Sequence, residues 1–150
     1  MSGSYCNLRV HMVWSTKDRK SLIEPLWEDR LFEYLGGILT NRKHVLLAAG
    51  GTGDHIHLLV GQHPTESVSD LVRDLKSNSS AWIHREIPDQ KTFGWQLGYG
   101  AFSVSKSNEE AVSEYIHDQK EHHKTRSFKQ ELLGLLIRHE IDFDERYLWE

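Results

Sequence analysis

The 150-residue chain predicts an α+β fold built on one antiparallel sheet. Three observations carry that prediction. Segments of strand and helix pattern succeed one another in the order β-α-β-β-α-β. The short turn Thr52-Gly53-Asp54 joins two of the strands directly, which only antiparallel neighbours allow. Further helical pattern then follows the last strand. This is the ferredoxin-like (RRM-like) arrangement, with helices on one sheet face and the other face left for a ligand. Many functions share it, so the fold alone names none.

The elements follow in order. "YCNLRVHMVWST" alternates and is rich in β-formers, predicting a strand from about Tyr5 to Ser15. "EPLWEDRLFEYLGGILTNR" places Pro25 at a helix start, with Leu26, Leu31, Leu35, Ile38 and Leu39 at helical spacing. "HVLLAAGG" and "HIHLLVG" are the next two strands. "TESVSDLVRDLKSNSSAWIHREI" reads as an amphipathic helix with Thr65 as its N-cap. "FGWQLGYGAFSVS" is a glycine-interrupted β region. "SNEEAVSEYIHDQKEHH" reads as one helix, with Glu109 and Glu110 favourably placed in its first turn. A last helix, about Ser127 to His139, precedes an acidic tail.

Length and composition describe one domain, residues 1–150, with 38% apolar and 27% charged residues, an ordinary globular balance. No apolar run approaches a membrane span and no secretory signal is apparent, so no membrane partner and a cytoplasmic location are expected. Cys6 is the only cysteine, which excludes an intrachain disulfide and any cysteine-rich zinc site. The net charge of −4 argues against wholesale coating of duplex DNA. The acid excess is local, however: residues 109–150 carry 11 acidic and 6 basic side chains, while residues 1–108 are nearly balanced. A basic surface from Lys17, Arg19, Lys20, Arg42 and Lys43 is compatible with that split.

The informative stretch is "GDHIHLLV". Residues i and i+2 of a strand share a face, so His55 and His57 project together while Ile56 and Leu58 go to the other side. Two adjacent imidazoles can chelate one divalent ion; the bland alternative is a pair hydrogen-bonded inside the core. In "EYIHDQKEHH", Tyr115 and Gln119 stand four apart on the expected helix, hence on one face, with His122 and His123 following on about the same side.

That combination resembles the IS200-like transposases (TnpA), the single-tyrosine branch of the HUH nucleases, a group that includes the REP-associated tyrosine transposases. The His-hydrophobe-His motif looks like His55-Ile56-His57, and the family's tyrosine and downstream glutamine look like Tyr115 and Gln119. "HMVWSTKDR", "LVRDLKSNSSAWI" and "WQLGYGAFSVS" resemble further family segments, so the likeness runs from about residue 7 to residue 149. One departure is Gly53, where many relatives carry proline; an altered turn is the expected consequence.

The resemblance implies a DNA transposase acting on single-stranded DNA near hairpins or imperfect palindromes. Tyr115 is then the catalytic nucleophile, leaving a 5′-phosphotyrosine and a free 3′-hydroxyl. His55, His57 and the Gln119 side-chain oxygen are the implied ligands of a divalent metal, Mg²⁺ or Mn²⁺, that polarises the scissile phosphate. A tyrosine ordinarily titrates near pH 10, so the phenol needs a base, a metal or a nearby charge, and Lys120, Glu121, His122 and His123 are equal candidates. Candidate DNA contacts are Lys17, Arg19, Lys20, Arg73, Lys76 and Lys106. Trp14, Trp82, Trp95 and Tyr99 read as core residues and His11 as a satisfied strand histidine, with proximity to the site as its second reading. Related enzymes are dimers, which implies a homodimer whose tyrosine helix completes the partner's histidine site. A non-catalytic hairpin-binding protein on the same fold is the competing reading. Histidine-triad hydrolases want a third alternating histidine where Leu59 stands, and two-histidine phosphoesterases want His-x-Ser/Thr where Leu58 and Leu59 follow His57, so both fall away.

Overall fold

A computed structural model describes residues 3–149. The sheet comprises β1 (Arg9–Ser15), β2 (Val45–Thr52), β3 (His55–Gly61) and β4 (Gly100–Ser103), in the order β2-β3-β1-β4 with every neighbouring pair antiparallel. This is the ferredoxin-like order anticipated from the pattern. Helices α1 (Pro25–Asn41) and α2 (Val68–Glu86) form the two crossovers. They cover one face, where Met12, Trp14, Ile56, Leu58 and Val60 meet Trp27, Leu31, Leu35 and Leu39 of α1 and Leu71, Val72, Leu75 and Ile83 of α2. No helix among the described residues is long and apolar enough to cross a membrane.

The opposite face, expected to stand open, is covered as well. Four C-terminal helices follow β4: α3 (Glu109–His117), α4 (Gln119–His122), α5 (Phe128–Arg138) and α6 (Glu145–Leu148). Ile116 of α3 packs on Ala48 and Leu59, while Phe128, Leu132, Leu135 and Leu136 of α5 pack on Val13 and Phe102. The apolar stripe of α5 has nowhere else to bury, and the sheet face opposite α1 and α2 receives it. Ser127 caps α5 in a reciprocal capping box with Gln130.

Several boundaries differ from the sequence reading. The first strand begins at Arg9 rather than Tyr5, because β3 ends at Gly61 opposite Arg9 and pairing stops one hydrogen bond later. Thr65 does not cap α2. Its hydroxyl meets His63 Nδ1, and Ser67 takes the N–H of Asp70 instead. Leu26 is exposed on α1 and Trp27 takes the buried position. Of the region 93–105 only Gly100–Ser103 joins the sheet, Trp95 adding one isolated bridge to Thr16. The expected single helix 107–123 is broken at Asp118, whose φ and ψ of −93° and 19° leave the helical region, so Tyr115 and Gln119 belong to successive helices. Gly53 does more than alter a turn. Its carbonyl accepts the N–H groups of Leu22 and Ile23, and a Cβ there would collide with the Ser21 hydroxyl.

Candidate active site

His55 and His57 leave β3 on the face covered by α3 to α5, and neither is exposed. Each ring is oriented from behind. His55 Nδ1 lies 2.7 Å from Asp54 Oδ1 and 3.0 Å from Thr52 Oγ1. His57 Nδ1 lies 2.7 Å from Nε2 of His11, which β1 presents on the same face. Both Nε2 atoms therefore point to one centre, the arrangement by which outer hydrogen bonds set a metal-binding tautomer. His11 is part of this cluster, so its second reading is the one the structure supports.

Glu131 of α5, not singled out from the sequence, fills that centre. Its Oε1 is 2.9 Å from His57 Nε2, 3.1 Å from His123 Nε2 and 3.4 Å from His55 Nε2. Its Oε2 accepts the hydroxyl of Tyr115. Gln119, also buried, sets Oε1 3.0 Å from His55 Nε2. The Tyr115 ring stands edge-on to His57 at 5.9 Å and stacks on His122 at 4.7 Å. Arg126 donates to the phenol oxygen at 2.9 Å. A signal for Glu131 was present. Phe128, Glu131, Leu132 and Leu135 run i, i+3, i+4, i+7, so the acid occupies an apolar stripe, where an ionised group must be paired.

The electrostatics follow from burial and these contacts. Burial pushes His57 down to about 4 despite Glu131. Burial, with the His57 charge beside it, pushes His11 down to about 3. Burial also opposes a charge on His55, but hydrogen bonds to Asp54, Glu131 and Gln119 outweigh it and raise the ring to about 9. The Glu131 carboxyl, penalised by burial, is held far below the carboxylate range by hydrogen bonds from His123, His55 and His57. Burial and the neighbouring Glu131 carboxylate push the Tyr115 phenol up to about 12. At neutral pH the centre thus holds an imidazolium at His55, a carboxylate at Glu131 and a protonated phenol.

The donor chemistry suits a divalent cation. One ligand atom each from His55, His57 and Glu131 lie within 4.8 Å of one another, with all three residues buried. Gln119 Oε1 borders the same space from α4. Two imidazole nitrogens with carboxylate and amide oxygens accept Mg²⁺, Mn²⁺ or Zn²⁺ without selecting among them.

The six basic residues expected at DNA lie elsewhere. Lys17, Arg19 and Lys20 occupy the turn after β1, where the Arg19 guanidinium rests 5.3 Å from the Trp149 ring centre. Arg73 pairs with Asp70 and Asp74 on α2, on the far side of the sheet. Lys76 donates to the carbonyls of Gln96 and Gly98 at 2.5 and 2.9 Å. Lys106 pairs with Glu109 at 2.8 Å. Trp14, Trp82 and Trp95 are core residues as expected, whereas Tyr99 is exposed. Lys120, Lys124 and Arg126 border a groove of about 570 Å³ with Asp54 and His123, where Lys120 pairs with Glu28 and Lys124 with Glu121.

The family described as "Transposase IS200 like" matches residues 4–119. The ISDra2 transposase TnpA of Deinococcus radiodurans is 25% identical over 122 residues, covering 78% of this chain and 87% of that protein. A crystal structure of a Deinococcus radiodurans protein described as a transposase superposes with a TM-score of 0.64 at 27% identity, over 79% of this chain and 95% of the other. A REP-associated tyrosine transposase bound to a REP hairpin shares the fold, with a TM-score of 0.57 at 13% identity over 77% and 68% of the two chains. Glu131 and Arg126 lie past the family match. The match over most of the chain, on a shared fold, places the protein in the IS200-like transposase family.

Proposed function

We propose that this transposase is a single-tyrosine HUH enzyme that cuts single-stranded DNA beside a hairpin and rejoins it through a 5′-phosphotyrosine. The observation that carries the reading is the meeting of the Tyr115 hydroxyl and the His57 and His55 imidazoles at one buried carboxylate, Glu131. The hairpin substrate is carried over from the REP-hairpin complex of the structural neighbour.

In cleavage, the Tyr115 oxygen forms a bond to phosphorus as the bond to the 3′ oxygen breaks. Glu131 Oε2 already accepts the phenol's hydrogen bond and relays its proton without keeping it, since the carboxyl is held far below the carboxylate range. The departing 3′ oxygen takes up that proton by way of solvent, so the balance closes on a phosphotyrosyl ester, a 3′-hydroxyl and an unchanged Glu131 carboxylate. The ester conserves a phosphodiester linkage, so another 3′-hydroxyl can reverse the step without ATP. His55, His57, Glu131 and Gln119 would hold Mg²⁺ or Mn²⁺, which supplies Lewis-acid polarisation of the scissile phosphate when bound. Asp54 and His11 keep the two imidazoles aimed at that position. Tyr115 and the histidine pair meet within one chain, which supports a site assembled in cis rather than one completed by a partner's tyrosine helix.

The test is incubation of the chain with single-stranded hairpin oligonucleotides and Mn²⁺ or Mg²⁺, followed by denaturing electrophoresis. A metal-dependent covalent adduct is expected from the wild type and none from Tyr115→Phe. Hairpin binding without any adduct would overturn the catalytic reading and leave a non-catalytic binding protein.

A further inference from the structure

Arg126 lies in the turn between α4 and α5, where the buried cluster meets the surface. Its Nη2 donates to the Tyr115 oxygen at 2.9 Å and stands 3.9 Å from Glu131 Oε2. A guanidinium placed only to neutralise a carboxylate commonly forks two N–H groups onto its two oxygens. Here the shorter contact goes to the phenol, and Glu131 already accepts from His57 and His123. The Tyr115 oxygen therefore has an anionic acceptor on one side and a cationic donor on the other. The Arg126 side chain is 38% exposed and borders the groove shared with Lys120, His123 and Lys124, which reaches Asp54 beside the imidazole pair. A phosphodiester carries one negative charge, and the Arg126 guanidinium at the edge of this groove matches it.

We propose that Arg126 is a further catalytic residue, stabilising negative charge on the Tyr115 oxygen and gripping the non-bridging oxygens of the phosphate that enters along the groove. The inference rests on the tyrosine-nuclease reading above. A guanidinium has five N–H groups, so contact with the phenol leaves donors for phosphate. In cleavage the Tyr115 oxygen bonds to phosphorus, the bond to the 3′ oxygen breaks, and the phenol's proton passes by way of Glu131 and solvent to the departing 3′ oxygen. In rejoining, the Tyr115 oxygen is the leaving group and carries charge away from phosphorus, and Arg126 meets that charge. One cation serves both directions, as a reversible strand transfer requires.

The test compares wild type, Arg126→Ala, Arg126→Lys and Tyr115→Phe on one single-stranded hairpin oligonucleotide with Mn²⁺. Adduct formation is followed at saturating DNA, and Kd by fluorescence anisotropy. Arg126→Ala is expected to lower the maximal rate about 100-fold, the usual loss for one transition-state donor, with a far smaller change in Kd. Arg126→Lys falls between, keeping the charge and losing the fork. Guanidinium chloride at a non-denaturing concentration restores part of the Arg126→Ala rate and none of the Tyr115→Phe rate, a response that a merely structural arginine would not give. Unchanged rates, or a fall that guanidinium does not relieve, overturn the inference. A wild type that forms no adduct overturns the underlying reading and this inference with it.

Discussion

Nε2 of His57 and Oε1 of Glu131 lie 2.9 Å apart with neither side chain exposed. The carboxylate also faces His123 and His55, so it is the anion on the Nε2 side of the imidazole cluster, with Asp54 on the Nδ1 side of His55. Removing it leaves the buried positive charge at His55 balanced from the Nδ1 side alone, by Asp54. Glu131→Gln, nearly isosteric, is therefore expected to destabilise the metal-free chain by about 3 kcal/mol, the scale for breaking one side of a buried pair. Urea unfolding measures it, and a loss within experimental error would show that the network contributes little to folding.

The same cluster sets a pH optimum for stability. His57 and His11 titrate near 4 and near 3 in the folded chain and near 6.5 when unfolded, so the unfolded chain binds more protons between those values. Stability accordingly rises as pH climbs from 4 to about 6.5. His55 runs the other way. Its folded value of about 9 exceeds 6.5, so its contribution is complete below pH 6.5 and is lost as pH rises toward 9. Denaturant midpoints measured in a chelator are expected to peak near about pH 6.5 and decline by pH 8. Ligation demands a deprotonated Nε2 at His55, so metal affinity moves oppositely, rising by about tenfold per pH unit up to about pH 9. Calorimetry in two buffers at pH 7 should find about one proton released per ion bound. Asp54→Asn removes a hydrogen bond that raises His55 and should flatten both trends. Affinity constant from pH 6 to 8 would contradict the assigned protonation.

Parts of this site were legible in advance, for physical reasons. Strand alternation is a period of two, so the shared face of His55 and His57 follows from their spacing, and Ile56 and Leu58 do enter the opposite core. Tyr115 and Gln119 do converge, though across a break at Asp118 that nothing in "YIHDQKEHH" announces. The burial of the imidazole face was not legible, because which sheet face a C-terminal helix covers depends on tertiary packing rather than on its own pattern. Glu131 escapes a reading by residue type, since a lone helical acid is usually solvated; the cue lies in Phe128, Leu132 and Leu135, whose stripe carries it inward. A lysine on an exposed helix carries no sign of what it faces, so the sequence does not rank the candidate DNA contacts.

Gly50 of β2 positions Tyr115 without touching it. A Cβ there would overlap the carbonyl oxygen of Ile116, the residue next to Tyr115, and backbone cannot rotate aside as a flexible side chain would. Gly50→Ala is therefore expected to displace α3, cost about 2 kcal/mol as an overpacked substitution does, and cut adduct formation while hairpin binding persists. Gly37, in the middle of α1, supplies the control. Nothing lies within 4 Å of a Cβ at that position, so Gly37→Ala should stabilise the chain by about 0.5–1 kcal/mol. Equal effects of the two substitutions would remove the argument that α3 needs bare backbone beneath it.

The proposed cleavage requires a DNA phosphate within bonding reach of Tyr115 and close to His55 and His57, yet both histidines are wholly covered. Phe128 at the start of α5 lies 4.7 Å from the His55 ring, and Glu131 one turn later holds the centre. α2, by contrast, packs on the far face of the sheet and is not in the way. Productive DNA binding is therefore expected to loosen the first turns of α5 while leaving α2 unchanged. Amide hydrogen exchange reads this directly, because opening of a local segment lowers its protection independently of the rest of the fold. Faster exchange across residues 128–135 in the hairpin complex, beside unaltered exchange across α2, is the expected pattern. If α5 keeps its full protection in a complex that forms the adduct, the phosphate reaches Tyr115 without uncovering the imidazoles, and their part in the reaction would have to be indirect.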